Sequence, residues 1–156
     1  MTFDTYQSIA KVAVSLTGFI GVVVVVLKNH NEDFSRIGLT TIMSTSLGAV
    51  MFAFVPELLS GLFSERVTWR LANGSFGLYH LYLILWHQLR QRSIRSNSPM
   101  QWLILGLSLG VVGLKLMVGL GFMLAYAYEI YLLGLLWLIG FVGYLFTLIL
   151  FQGLED

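Results

Sequence analysis

Lys115 lies near the middle of residues 102–124, where every other residue is apolar, glycine or serine. A stretch of that length spans a bilayer. An ammonium group near the bilayer centre costs at least ~2.5–3.5 kcal/mol on insertion scales, so it seeks protein, an opposite charge or water. Such a lysine can attract an anion, repel a cation or, once deprotonated, attack a carbonyl carbon. The last chemistry includes a retinal-type Schiff base, but no recognisable retinal pocket accompanies it. His80 and His87 are the next chemically capable residues. Imidazole exchanges protons near neutral pH, which suits a proton relay or the lining of an ion path. Haem ligation is the weaker use. The two rings sit on one helix about two turns, roughly 10 Å, apart, so a bis-histidine haem would draw on a second subunit. No cofactor or metal is expected.

Two carboxylates fall in the same half of the membrane as Lys115. Glu57 follows the second apolar block and Glu129 precedes the last one. Glu129 lies about 12 Å shallower by residue counting at 1.5 Å per residue, a gap that a long lysine stem and a bent helix narrow. Lys115 is therefore expected to meet Glu57, Glu129 or water. With Asn73, these groups make up the candidate polar path: Lys115, His80, His87, Asn73, Glu57 and Glu129.

Helical periodicity sorts these residues onto faces. At 100° per residue, Arg66, Arg70, Asn73, Gly77, His80, Ile84 and His87 share one side of their helix. Tyr79, Tyr82 and Trp86 share the other, so the polar side is expected to turn inward. On the helix of Lys115, Gly106, Gly110, Gly113 and Gly121 line one face, and Ser108, Lys115 and Gly119 the other. A glycine face lets backbones approach closely and is expected to be a helix-packing surface. Thr41, Ser44, Thr45 and Gly48 form a hydroxyl face, as do Ser8, Lys11, Ser15 and Gly18. Hydroxyls of this kind mostly bond back to helix carbonyls or across to neighbours.

The helices that must position these groups follow from the apolar blocks. Spans are expected over about 9–27, 37–55, 71–89, 102–124 and 130–151. Pro56 is expected to end or kink the second, and 126–129 to break the last fifty-residue block in two. The connection 28–36 is short and polar, with Ser35 as a plausible N-cap. The connection 56–69 reads as a loop, an interfacial helix or a gate, and 90–101 is the most basic loop. Trp102, Tyr126, Tyr128, Tyr131 and Trp137 suit interfacial anchoring. The first apolar segment reads as a retained helix, because Asp4 precedes it and no cleavage pattern follows.

Composition agrees. Of 156 residues, 57% are hydrophobic and 11% charged, against roughly 25% charged in soluble domains. The net charge of +1 and the absence of cysteine argue against a nucleic-acid surface, disulfides and thiol chemistry. No hydrolase, nucleotide-binding, EF-hand or potassium-filter motif occurs, and an enzyme is not expected.

The fold class implied is an all-α, polytopic membrane helix bundle of about five spans forming a single domain over 1–156. Its character is that of small bacterial inner-membrane proteins. One side of the membrane would carry Lys28, Arg36, Arg90, Arg92 and Arg95, the other Lys11, Arg66 and Arg70. Five basic residues against three favour an outside N-terminus and a cytoplasmic C-terminus. Arg90, Arg92 and Arg95 would meet lipid headgroups. The leading functional expectation is an oligomeric channel, pore or transport protein with a polar intramembrane path. The alternative is an adaptor or regulatory subunit that binds another membrane protein, its polar groups serving helix packing.

Overall fold

The computed structural model describes residues 11, 14, 15, 18, 32–90 and 99–152, with side-chain surroundings from 40 to 87 and from 99 to 147. Every regular element among them is helical: α1 (Glu32–Ser60), α2 (Glu65–Arg90), α3 (Pro99–Leu120), a short 3-10 turn (Leu124–Tyr126) and α4 (Ala127–Gln152). Lys11, Val14, Ser15 and Gly18 are helical and exposed. The remainder of the expected span 9–27, and Arg92 and Arg95, lie outside the described residues.

Three segments are long and apolar enough to cross a membrane: Thr40–Ser60, Pro99–Leu120 and Leu124–Thr147. They make the chain compatible with a membrane protein. At 26 residues α2 has the length to span, but Glu65, Arg66, Arg70, Asn73, His80 and His87 lower its apolarity. Five spans were expected; among the described residues, three helices meet the length and apolarity a span needs.

The chain divides into two compact units, one made of Met1–Phe54 with Leu136–Asp156 and the other of Val55–Leu135. In the first unit Ile42, Ala49, Ala53, Leu138 and Val142 are buried. Two of its hydroxyls bond back along their own helix. Ser44 Oγ donates to the Thr40 carbonyl at 2.8 Å and Thr45 Oγ1 to the Thr41 carbonyl at 2.7 Å.

The second unit holds the polar residues. Here α2 runs antiparallel to α3, as the pairing of Gly74 with Gly119 and of Gly77 with Leu116 shows. Backbone meets backbone at the first of these pairs. A Cβ added to Gly119 would stand 2.8 Å from Gly74 Cα. Val118, Ala127 and Ile130 form a buried cluster flanked by Trp69, Leu114 and Leu124, which fastens the start of α4 to α3.

Two boundaries differ from the expected ones. Pro56 neither ends α1 nor marks its last residue, since the helix runs on to Ser60. A proline removes one backbone bond, and helices in membranes tolerate it where neighbouring groups satisfy the freed carbonyl. Termination comes instead at Gly61, where the amides of Leu62 and Phe63 both donate to the Leu59 carbonyl at 3.0 Å. The segment 56–69 is thus the end of α1, a four-residue turn and the start of α2. Likewise α3 stops at Leu120, before the expected break at 126–129. Gly121 has φ 102°, a conformation glycine adopts without a Cβ clash. The Phe122 amide donates to the Met117 carbonyl and the Gly121 amide to the Val118 carbonyl, both at 2.9 Å. That pair of bonds is a Schellman cap.

Candidate functional site

The site is built where α2, α3 and the start of α4 meet. Lys115 projects from the buried side of α3, which also carries Ser108, Val111, Val112 and Val118. Its side chain is 0% exposed and that of His80 4%. Lys115 Nζ stands 3.1 Å from His80 Nδ1. An ammonium has only donors, so with Lys115 charged His80 accepts at Nδ1 and keeps its own proton on Nε2. Lys115 Nζ also lies 3.3 Å from the centroid of the Phe76 ring, where the π-face attracts a cation. Phe76 is one helical turn before His80, and the two rings stack with centroids 6.5 Å apart.

The space for this lysine comes from Gly134. A Cβ there would collide with Lys115 Cε and Nζ and stand 3.1 Å from Phe76 Cε1. Gly77 contributes on the α2 side, where an added Cβ would meet Lys115 Cβ at 3.3 Å. Tyr131 closes the cluster, fully buried with its ring 5.1 Å from Phe76 and 5.9 Å from Trp69. It was expected as an interfacial anchor. Position one turn into α4 places it against aromatic neighbours instead, whereas Trp102 and Tyr126 are exposed.

Asn73 stands seven residues before His80 on the same stripe and is 0% exposed. Its Nδ2 donates to the carbonyls of Trp69 and Ala127, each at 3.1 Å, tying α2 to the first residue of α4. Its Oδ1 is buried without a hydrogen-bond partner among the described residues. His87, seven residues beyond His80, is half-buried and about 10 Å along the helix, so it does not join the Lys115 cluster. Arg66 and Arg70, at the other end of the stripe, are exposed.

The remaining candidates are not brought together with Lys115. Glu57 and Glu129 are both exposed, and the polar partner of Lys115 among the described residues is His80. Residue counting gives a position along the helix and not the direction in which the lysine turns. The glycines are divided as well. Gly106, Gly110 and Gly113 are exposed, and a Cβ on any of them would meet nothing within 4 Å among the described residues. The close approach of α3 within the chain is made by Gly119, on the lysine side. Gly121 is a helix cap, and the Arg70 guanidinium rests against it, donating to the Gly119 and Leu120 carbonyls at 3.3 and 3.4 Å. Arg90 ends α2.

Phe76 and Gly134 were not anticipated, and Tyr131 only as an anchor. Phe76 carried a weak signal, one turn from His80, while nothing distinguishes Gly134 from the other glycines of apolar helices. No group of three metal-ligating side chains occurs among the described residues. Compared with known protein families, curated proteins and solved structures, the chain matches none of them.

Proposed function

We propose that the chain is a small polytopic membrane protein that moves an ion or proton along a polar intramembrane path centred on Lys115 and His80. The observation that carries this reading is the Lys115–His80 contact, an amine and an imidazole 3.1 Å apart in a buried seam. Two nitrogens at that distance exchange a proton along one hydrogen bond. Asn73, His80 and His87 recur every seven residues on one stripe of α2, and the spare Oδ1 of Asn73 offers an acceptor at one end. The pair is sheltered in this conformation, so conduction requires the α2–α3 seam to open. Assembly into a homo-oligomer belongs to the same proposal.

The test is flux in liposomes. Proton and ion movement is expected for the wild type and is expected to change in rate or selectivity in Lys115→Ala and His80→Ala. A well-folded wild type silent across several ions and pH values would overturn the reading. The second reading, an adaptor that docks on another membrane protein, is favoured by the open glycine row Gly106, Gly110 and Gly113 on α3. A partner membrane protein co-purifying at fixed stoichiometry, lost on Gly110→Leu, would support it.

A further inference from the structure

A depression of about 360 Å³ lies at the α2 end remote from His87, lined by Glu65, Arg66, Trp69, Leu124 and Ala125. Its level in the fold is set by the helices. Glu65 opens α2, while Leu124 and Ala125 belong to the 3-10 turn between α3 and α4. The apolar segments of α1 and α3 stop at Ser60 and Leu120, and the last begins at Leu124. The depression therefore sits where the spans leave the hydrocarbon. Leu62, Phe63, Phe122, Met123 and Tyr126 are exposed in the adjoining turns, as expected of residues that meet the interfacial layer of a bilayer.

The lining combines three chemistries. Glu65 and Arg66 are both exposed. Adjacent residues point about 100° apart on a helix, so the two charges flank the depression instead of pairing with each other. Trp69 supplies a wall held by edge contacts to Tyr128 at 5.8 Å and Tyr131 at 5.9 Å. Leu124 and Ala125 are apolar. Arg70, one turn further along α2, is committed to the end of α3, which leaves Arg66 as the cation of this site.

We propose that the depression binds the headgroup of a phospholipid carrying a primary ammonium beside its phosphate. The Arg66 guanidinium takes the phosphate oxygens, for which its fork of donors is suited. The Glu65 carboxylate accepts hydrogen bonds from the ammonium. Trp69, Leu124 and Ala125 pack against the glycerol and the first methylenes. The volume is at the low end of small-ligand sites, roughly 300–1,000 Å³, which fits a headgroup and excludes whole acyl chains. A choline headgroup has no N–H to give Glu65, and a glycerol headgroup leaves the phosphate charge beside the carboxylate uncompensated. The site thus selects ethanolamine-type lipid, and the proposal is independent of the Lys115–His80 reading.

The test is native mass spectrometry of the full chain released from bilayers of equal phosphatidylethanolamine, phosphatidylcholine and phosphatidylglycerol. The wild type is expected to retain phosphatidylethanolamine several-fold over the other two. Glu65→Gln is expected to lower it to the phosphatidylcholine level, Arg66→Gln to weaken all three, and Glu57→Gln, an exposed carboxylate outside the depression, to change nothing. Equal retention of the three lipids by the wild type would overturn the proposal whatever the variants do. So would preferential retention of phosphatidylglycerol that Glu65→Gln leaves intact, which would mark a merely basic surface.

Discussion

Lys115 and His80 meet each other in a buried contact, and their substitutions differ accordingly. His80→Ala leaves a buried amine without its acceptor. It is expected to destabilise the protein by about 1–3 kcal/mol, the cost of an unsatisfied buried polar group. Lys115→Met keeps the volume and relieves the burial of an ammonium, which offsets part of the donor lost to His80 Nδ1. It is therefore expected to destabilise less than His80→Ala while flux falls. Thermal unfolding in detergent, set beside liposome flux, separates the two. If Lys115→Met lowered stability as much as His80→Ala and left flux untouched, Lys115 would be a structural residue. Both residues were legible in the sequence because a charge and an imidazole are anomalous in apolar runs. Phe76 and Gly134 were not, since aromatics and glycines are ordinary there. The carboxylates Glu57 and Glu129 stand exposed and apart from Lys115, because helical rise gives a position along the helix and leaves the side chain's direction open.

At the scale of the helices, α3 has two unlike glycine sets. Gly119→Ala drives a methyl into the Gly74 backbone and is expected to cost about 1–3 kcal/mol as overpacking. Gly106→Ala has open space among the described residues and is expected to stay within about 0.5 kcal/mol, as at other uncrowded positions. Equal effects in a thermal-unfolding comparison would contradict the antiparallel contact of α2 with α3. Arg70→Ala removes the cation that completes the end of α3, worth about 0.3–1 kcal/mol at a helix C-terminus. Faster hydrogen exchange is expected at the Gly121 and Phe122 amides, and unchanged exchange there would remove Arg70 from the cap. The helical faces could be read from periodicity, and α2 does bury Asn73, Gly77 and His80. Helix ends were read less well. Pro56 and the polar residues at 126–129 look like breaks, but the chain turns after Ser60 and at Gly121, whose φ of 102° favours glycine.

For the molecule as a whole, hydrophobic content points to a membrane protein, and three helices long and apolar enough to cross a membrane are compatible with that. The count of five spans is not confirmed: among the described residues three helices meet the length and apolarity of a span. Helix α2 mixes a spanning length with a polar stripe, and most of 9–27 lies outside the described residues. Orientation is open to a direct test, since the sequence has no cysteine to give background. With the N-terminus outside, Ser64→Cys in the exposed turn after α1 is expected to react with an impermeant maleimide added to intact cells. Labelling only after permeabilisation would reverse the assignment. The empty place that Gly134 leaves for Lys115 also has a hereditary consequence. Alanine at 134 is expected to be harmful beside lysine at 115 and better tolerated once residue 115 is short, when only Phe76 Cε1, 3.1 Å from the added methyl, has to give way. In a suppressor screen, the folded yield lost to Gly134→Ala should be regained by Lys115→Ala. Position 134 is then not free to change while lysine stands at 115, so a change at 134 has to follow one at 115.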